Sequence, residues 1–315
     1  MDQIAILIPC YNEALTIGKV IDDFARELPE STIYVYDNNS SDDTASIAKQ
    51  HGAIVRKESR QGKGNVVKQM FREIEAHCYI MVDGDNTYPA ESVHKILDPI
   101  RDGQADMVIG DRLSNLSYHK ENKRKFHNFG NHLVCKLLKW LYGVKVTDAM
   151  TGYRGFTYLF VRSFPILAEG FEIEVEMDIH AIDKKWRIIE VPIDYRDRPE
   201  GSVSKLSTVR DGFRILLKIL SLFKDYKPMV LFGLSSLFLL IVGLGLGISV
   251  TIDFVNTGLV ERFPTAILAV GLVIMSMLSL VCGFILDTVA KSNRQQYELQ
   301  VQIVKAGWHN RLGEK

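Results

Sequence analysis

The chain has 315 residues, 47% of them hydrophobic, and its 38 Lys and Arg balance 38 Asp and Glu. Taken whole it reads as an ordinary globular protein without the charge excess that recruits nucleic acid, so no nucleic-acid partner is expected. The four cysteines, Cys10, Cys78, Cys135 and Cys282, are scattered with no CxxC and no zinc spacing, so they are expected as reduced, small hydrophobic residues.

In chain order, short apolar runs alternate with helical periodicity. Ile4 to Pro9 is a predicted strand, and Met1-Asp2-Gln3 before it leaves no room for a signal peptide. Leu15 to Leu28 follows as a helix, Thr32 to Tyr36 as a strand, and Asp42 to His51 as a helix with two acids in its first turn. Next come the strand Ala53 to Arg56, the helix Asn65 to Ala76, the strand Tyr79 to Val82, the helix Pro89 to Arg101 and the strand Met107 to Gly110. This alternation predicts an α/β sheet that is largely parallel. Phosphate loops of the usual kinds are missing. Gly62-Lys63-Gly64 is not followed by Ser or Thr, and the first turn, Pro9-Cys10-Tyr11-Asn12-Glu13, has no glycine.

The strand Tyr79 to Val82 runs straight into Asp83-Gly84-Asp85. Carboxylates at the C-terminal edge of such a sheet lie where ligands bind, and Gly84 permits a sharp turn. Two carboxylates this close repel each other, which predicts a cation between them, and hard oxygen ligands suit Mg²⁺ or Mn²⁺. A solvated Asp-Gly turn is the bland alternative.

Met229 to Ile252 and Thr265 to Leu286 are uncharged runs of 24 and 22 residues. Each is long enough to cross a bilayer core, which takes roughly 20 apolar residues. Lys205, Arg210, Arg214, Lys218, Lys224 and Lys227 precede the first run, and Lys291 and Arg294 follow the second. The positive-inside bias predicts a multi-pass protein of the plasma membrane with the first two-thirds and both chain ends cytoplasmic. Two further stretches carry apolar stripes with basic flanks. They are Phe129 to Tyr142, with Leu133, Leu137, Leu138 and Leu141, and Val209 to Phe223. Both read either as interfacial helices or as core-packed ones. The organisation expected is a domain over 1–206, a juxtamembrane helix over 207–228, two transmembrane helices over 229–289 and a tail over 290–315.

Ile8-Pro9-Cys10-Tyr11-Asn12-Glu13, Asp37-Asn38-Asn39-Ser40-Ser41-Asp42-Asp43-Thr44, Gly62-Lys63-Gly64 and Asp83-Gly84-Asp85, in this order, resemble family 2 glycosyltransferases of the GT-A fold. Asp148-Ala149-Met150-Thr151-Gly152-Tyr153-Arg154 and Glu190-Val191-Pro192 through Arg198, Gly201, Ser204 and Lys205 resemble its dolichyl-phosphate mannose synthase-like, polyprenyl-phosphate branch. The resemblance covers about residues 3–228 and implies a GT-A domain followed by interface helices and a transmembrane hairpin. It assigns Pro9, Tyr11, Glu13, Asp37, Lys63, Asp83 and Gly84 to the nucleotide-sugar, and Asp83 and Asp85 to Mg²⁺ or Mn²⁺. At Thr87, where many members carry Gln two residues after the second Asp, either Thr87 or a water is implied to fill the metal shell. Arg112, Arg124, Arg198 and Lys205 are implied to hold the acceptor phosphate, with Asp85, Asp148 and Arg112 at the reacting centre.

The function this implies is inverting transfer of one sugar from a nucleotide-sugar, a UDP-sugar such as UDP-glucose or UDP-N-acetylglucosamine, to undecaprenyl phosphate for cell-envelope glycans. A homo-oligomer and a separate flippase are partners left open, and Gly243, Gly245 and Gly247 would permit close helix packing. The alternatives are a processive polysaccharide synthase of the same fold, whose Gln-x-x-Arg-Trp motif and further spans are missing here, and a catalytically silent membrane scaffold.

Overall fold

A computed structural model describes residues 2–114, 125–144, 146–199 and 223–312, with positions 201, 217 and 221. Arg124, Lys205 and nearly all of the helix expected over 209–223 lie outside the described residues. Two compact units are present: Met1–Ile219 with Gln300–Lys315, and Leu220–Leu299.

The first unit is built on a seven-stranded sheet of order β3-β2-β1-β4-β6-β5-β7. Its strands are β1 (Asp2–Cys10), β2 (Thr32–Asp37), β3 (Ile54–Lys57), β4 (Ala76–Met81), β5 (Met107–Asp111), β6 (Arg154–Thr157) and β7 (Ile188–Pro192). All neighbours pair in parallel except β6, which runs antiparallel to β4 and β5. The helices are α1 (Ile17–Glu27), α2 (Thr44–Gln50), α3 (Lys63–Glu73), α4 (Val93–Arg101), α5 (Lys125–Tyr142), α6 (Tyr158–Ser163) and α7 (Ile173–Asp183). Fully buried Ile6, Ile8, Val35, Ile80 and Val82 pack with Ile17, Ile21 and Phe24 of α1 and Ile96 and Leu97 of α4. A doubly covered parallel sheet of this kind explains why its strands are continuous apolar runs without alternation.

The expected order of elements holds through β5 with boundaries displaced: after a 3₁₀ turn at Ala90–Ser92, α4 starts at Val93 rather than at Pro89, and the end of α3 moves as well. α3 begins at Lys63 and stops at Glu73, because Ile74 is extended and Ala76 already pairs with Asp2 as the first residue of β4. The pairing of a central strand overrides the helix propensity of Glu75 and Ala76. On α5, Asn131, Val134 and Leu138 are buried and Leu133 and Leu137 half-buried, while Lys136, Lys139 and Trp140 are exposed. One stripe of this helix is therefore core.

The second unit is a pair of antiparallel-connected apolar helices, α8 (Pro228–Thr257) and the long α9 (Phe263–Leu312). Each has a stretch long and apolar enough to cross a membrane, with only 11% and 17% of those stretches buried. Apolar surface exposed on this scale is not the core of a soluble hairpin. The helices meet through small residues: Ser236 and Ser276 hydroxyls lie 3.1 Å apart, and Ser279 donates to the Phe232 carbonyl at 3.0 Å. A Cβ on Gly243 would lie 3.1 Å from Leu272 and Val273, whereas Gly245 faces open space. Gly243 thus serves the contact between the two helices of one chain.

α9 continues without a break past the expected span, and from Gln300 it belongs to the first unit. There Trp308 stacks on Tyr158, with ring centroids 4.0 Å apart, and meets His77 edge-on at 4.8 Å.

Candidate active site

The C-terminal ends of β1, β2 and β4 lie side by side, with Cys10 opposite Asp37 and Leu7 opposite Met81. That register brings Pro9, Tyr11 and Glu13 after β1, Asp37 at the end of β2, and Asp83 and Asp85 after β4 to one edge of the sheet. The buried Cys10 thiol reports their convergence: burial, then Glu13, Asp37, Asp83 and Asp85 in turn, push it well above the usual thiol range.

The turns at this edge are held by their own polar side chains. Asn12 accepts from the Ser41 amide at 2.8 Å, its amide donates to Ser40 at 2.9 Å, and the Glu13 amide donates to Thr44 at 2.8 Å. Asn38 accepts from the Gly62 amide at 2.7 Å and donates to the carbonyls of Glu58 and Arg60 at 2.9 and 2.8 Å, so the β2 turn positions the start of α3. Thr16 donates to the Gly84 carbonyl at 2.7 Å and ties α1 to the Asp83-Gly84-Asp85 turn. Gly84 is required by space, since a Cβ there would lie 2.7 Å from Cys10 Sγ.

Both carboxylates of that turn are met by side-chain cations. Lys63 Nζ lies 2.6 Å from Asp83 Oδ1 and 2.5 Å from Glu174 Oε1. Arg198 donates to Asp85 Oδ2 and lies 3.7 Å from Glu13. The protein itself thus supplies two cations to the pair, Lys63 and Arg198, at the turn where the sequence predicts a divalent ion. Burial works against the charge of Lys63, but Asp83 and Glu174 hold its ammonium above the ordinary lysine range. Burial and Asp83 push the Asp85 carboxyl up, against the pull of Arg198 and Thr87. Thr87 donates its hydroxyl to Asp85 Oδ1 at 2.6 Å and its amide to the same atom at 3.2 Å, which makes it an orienting partner of Asp85.

The second cluster follows β5. Arg112 grips Asp148 with Nε–Oδ2 at 2.7 Å and Nη2–Oδ1 at 2.8 Å, and Asn131 of α5 donates to Asp148 at 3.0 Å. Burial opposes the charge on Asp148, but the guanidinium beside it holds the carboxyl below its ordinary range. The rings of Tyr88 and Tyr195 flank Arg112, with centroids 6.0 and 5.9 Å from its guanidinium carbon. Behind Asp148, Glu190 accepts from the Thr147 amide at 2.8 Å. Arg154, fully buried, is an internal brace: it pairs with Asp178 and donates to the carbonyls of Thr151 and Ala149 at 3.0 and 3.1 Å.

Of the residues expected on the acceptor side, Arg112 is paired with Asp148, and Arg198 sits against Asp85 and Glu13. The chain reaches that position because the Arg196 amide donates to the Thr87 carbonyl at 3.0 Å, laying the segment after β7 over the turn. Glu174, Tyr88, Tyr195 and Asn131 were not foreseen. One signal for Glu174 is present: Glu174, Glu176 and Asp178 alternate with apolar residues along the first turns of α7, and a carboxylate in a buried helix needs a partner. Among the described residues no three His, Cys, Asp or Glu converge as a metal cage. Asp83 and Asp85 nonetheless fit Mg²⁺ or Mn²⁺, which are commonly held by one or two carboxylates plus waters and phosphate oxygens.

The family profile described as Glycosyl transferase family 2 matches residues 5–158. Glycosyltransferase AglJ of Haloferax volcanii is 31% identical over 296 residues, 94% of this chain and 96% of that relative. The dolichyl-phosphate hexose transferase of the same organism is 32% identical over 197 residues, covering 62% of this chain and 84% of its own. Among solved structures, glucosyl-3-phosphoglycerate synthase from Mycobacterium tuberculosis with Mn²⁺ and UDP-glucose aligns with a TM-score of 0.56. It is 20% identical and covers 70% of this chain and 79% of that one, a likeness of fold. With a sheet of the GT-A kind, a paired-carboxylate turn at its ligand edge and a relative aligned over nearly its whole length, the chain belongs to the family 2 glycosyltransferases.

Proposed function

We propose that the enzyme transfers one sugar from a nucleotide-sugar to a polyprenyl phosphate at a membrane surface. The observation that carries this reading is the pair Asp83 and Asp85, met by Lys63 and Arg198, in a chain that ends in two helices of bilayer length. A carboxylate pair suited to a divalent cation fits a diphosphate donor, and an acceptor confined to a bilayer accounts for the hairpin. The relative named for dolichyl-phosphate hexose transfer is consistent with it.

In this reading Pro9, Tyr11, Glu13 and Asp37 line the nucleoside side, and the diphosphate lies over the Asp83-Gly84-Asp85 turn. Asp83 and Asp85 would hold Mg²⁺ or Mn²⁺, which when bound supplies positive charge to the departing diphosphate. Lys63 and Arg198 add charge at the same edge, where negative charge grows as the anomeric C–O bond breaks. The acceptor phosphate is its own nucleophile, its second pKa being about 6, and needs positioning more than a general base. Arg112, set in orientation by Asp148, together with Arg124 and Lys205, carries the charge that receives it. Attack by a phosphate oxygen opposite the leaving diphosphate inverts the anomeric carbon, so an α-linked donor yields a β-linked lipid product. A UDP-sugar and undecaprenyl phosphate are the proposed pair, with the catalytic unit and both chain ends cytoplasmic and the short loop before α9 outside.

Membranes carrying the enzyme, incubated with a panel of labelled nucleotide-sugars and undecaprenyl phosphate, test this directly. The expected product is a lipid bearing one sugar. A polymer would identify a processive synthase, and nucleotide binding without a glycosylated lipid would identify a silent scaffold.

A further inference from the structure

Lys63 is shared by two carboxylates, and only one of them belongs to the metal turn. Its ammonium lies 2.6 Å from Asp83 and 2.5 Å from Glu174, with Glu174 buried and the Asp83 side chain 27% exposed. The segments that bring the three together are clamped backbone to backbone. Gly64 and Asn65 amides donate to the Gly170 and Glu169 carbonyls at 3.1 and 3.2 Å. A Cβ on Gly64 would lie 2.3 Å from the Ala168 carbonyl oxygen, so only glycine permits this approach. From the other side Glu176 of α7 accepts from the Ala168 amide at 2.7 Å. The start of α3, carrying Lys63, and the start of α7, carrying Glu174, are thereby fixed against each other, while Asp83 sits on the more exposed side.

One ammonium between two carboxylates leaves one negative charge over. With Asp83 as its sole partner, Lys63 would close a neutral ion pair, and a divalent cation would have to displace the whole ammonium to use that carboxylate. A second, buried carboxylate on the far side draws the ammonium back and returns negative charge to Asp83. We infer that Glu174 is a positioning residue acting through Lys63, dividing its ammonium so that Asp83 remains a ligand for a divalent cation. This rests on the reading of Asp83 as a metal-binding carboxylate. Partners behind a ligand of this kind alter metal affinity by about 10- to 100-fold.

The test is Mn²⁺ binding to the full-length, detergent-solubilised enzyme in the presence of UDP, read from the electron paramagnetic resonance signal of free Mn²⁺, with no turnover involved. Glu174→Gln weakens Mn²⁺ binding by about 10-fold or more, and Glu174→Asp, which keeps the charge but is one methylene shorter, weakens it as well. In a Lys63→Met background the Glu174→Gln effect shrinks, because the ammonium through which it acts is gone. An equal effect of Glu174→Gln in both backgrounds, or a Glu174→Asp enzyme that binds Mn²⁺ like wild type, overturns the inference. Should the Lys63→Met protein fail to fold, the Glu174→Asp comparison decides alone. Asp83→Asn separates the two layers. If it leaves Mn²⁺ affinity unchanged, the metal reading of Asp83 falls and the inference with it. If it abolishes binding while Glu174→Gln does not weaken it, the inference alone falls.

Discussion

Arg112 and Asp148 form a buried two-pronged ion pair, 2.7 and 2.8 Å across its two arms, between residues 36 apart in the chain. Either residue alone would be costly in this position: removing one partner of a buried pair typically costs about 3–5 kcal/mol because the other charge is left uncompensated. Arg112→Ala therefore confounds folding with function. Arg112→Lys keeps the charge and loses the fork, which a lysine cannot reproduce. We expect it to lower kcat/KM for polyprenyl phosphate by roughly tenfold or more, the worth of one charge-assisted hydrogen bond, with nucleotide affinity preserved. A fall in nucleotide affinity with unchanged acceptor kinetics would move Arg112 to the donor side.

Asp85→Asn removes one negative charge from the Asp83-Gly84-Asp85 turn and one partner of Arg198. Transfer should be lost while membrane insertion is retained, and in the wild type it should vanish with a chelator and return with Mg²⁺ or Mn²⁺. Full turnover in excess EDTA is the result that would remove the metal from the reaction.

Gly152 is a position where geometry and stability separate. A Cβ there would lie 2.4 Å from Asp83 Oδ2, so the carboxylate has to move to admit alanine. A misplacement near 1 Å costs on the order of 100-fold in rate, and Gly152→Ala should show this without a matching loss of thermal stability. Unchanged kcat in that variant would mean that the position of Asp83 is not critical.

His180 is buried against Phe160 and Phe164, and burial, reinforced by Lys184, holds its imidazole down to about 3. A folded-state value below the unfolded one means that the unfolded chain takes up the proton first. The stability tied to a neutral His180 is thus present above about pH 6.5 and lost as pH falls toward 3. Between pH 7 and pH 5 the stability of the wild type relative to a His180→Leu variant should drop by about 2 kcal/mol. Denaturation of both proteins at the two values measures it, and a pH-independent difference would show that His180 takes up its proton in the fold as it does in the unfolded chain.

Trp308 links the end of α9 to the catalytic unit. Its stacking on Tyr158 means that a truncation near Tyr226 uncovers an aromatic surface of the domain. The truncated protein should still bind nucleotide but melt earlier, and Trp308→Ala in the full chain should cost about 1–3 kcal/mol. Transfer to long-chain lipid in vesicles should collapse on truncation, with a short, water-soluble acceptor recovering part of it, because the enzyme is no longer concentrated beside its substrate. Undiminished transfer to the long-chain lipid would assign the two spans another task.

The sequence by itself determined what depends on neighbours along the chain. Apolar runs and helical periodicity mark the alternating elements through β5, because they follow from local backbone sterics and from which side must be buried. The lengths of α8 and α9 as spans follow from uncharged runs, and the Asp83-Gly84-Asp85 turn is visible because its acids adjoin a strand. Only the tertiary structure decided how distant segments meet. β6 is four residues long and enters the sheet antiparallel between β4 and β5, a pairing that no local pattern marks. It is this insertion, with the turn before it, that carries Asp148 to Arg112 and Gly152 to Asp83. Likewise Lys63 reads as a cation near a ligand edge, but its second partner Glu174 arrives from α7 through the packing of the loop at 168–170. Such pairs are settled by sheet register and by the burial cost of unpaired charge, which act across the fold and leave little trace in any short window of sequence.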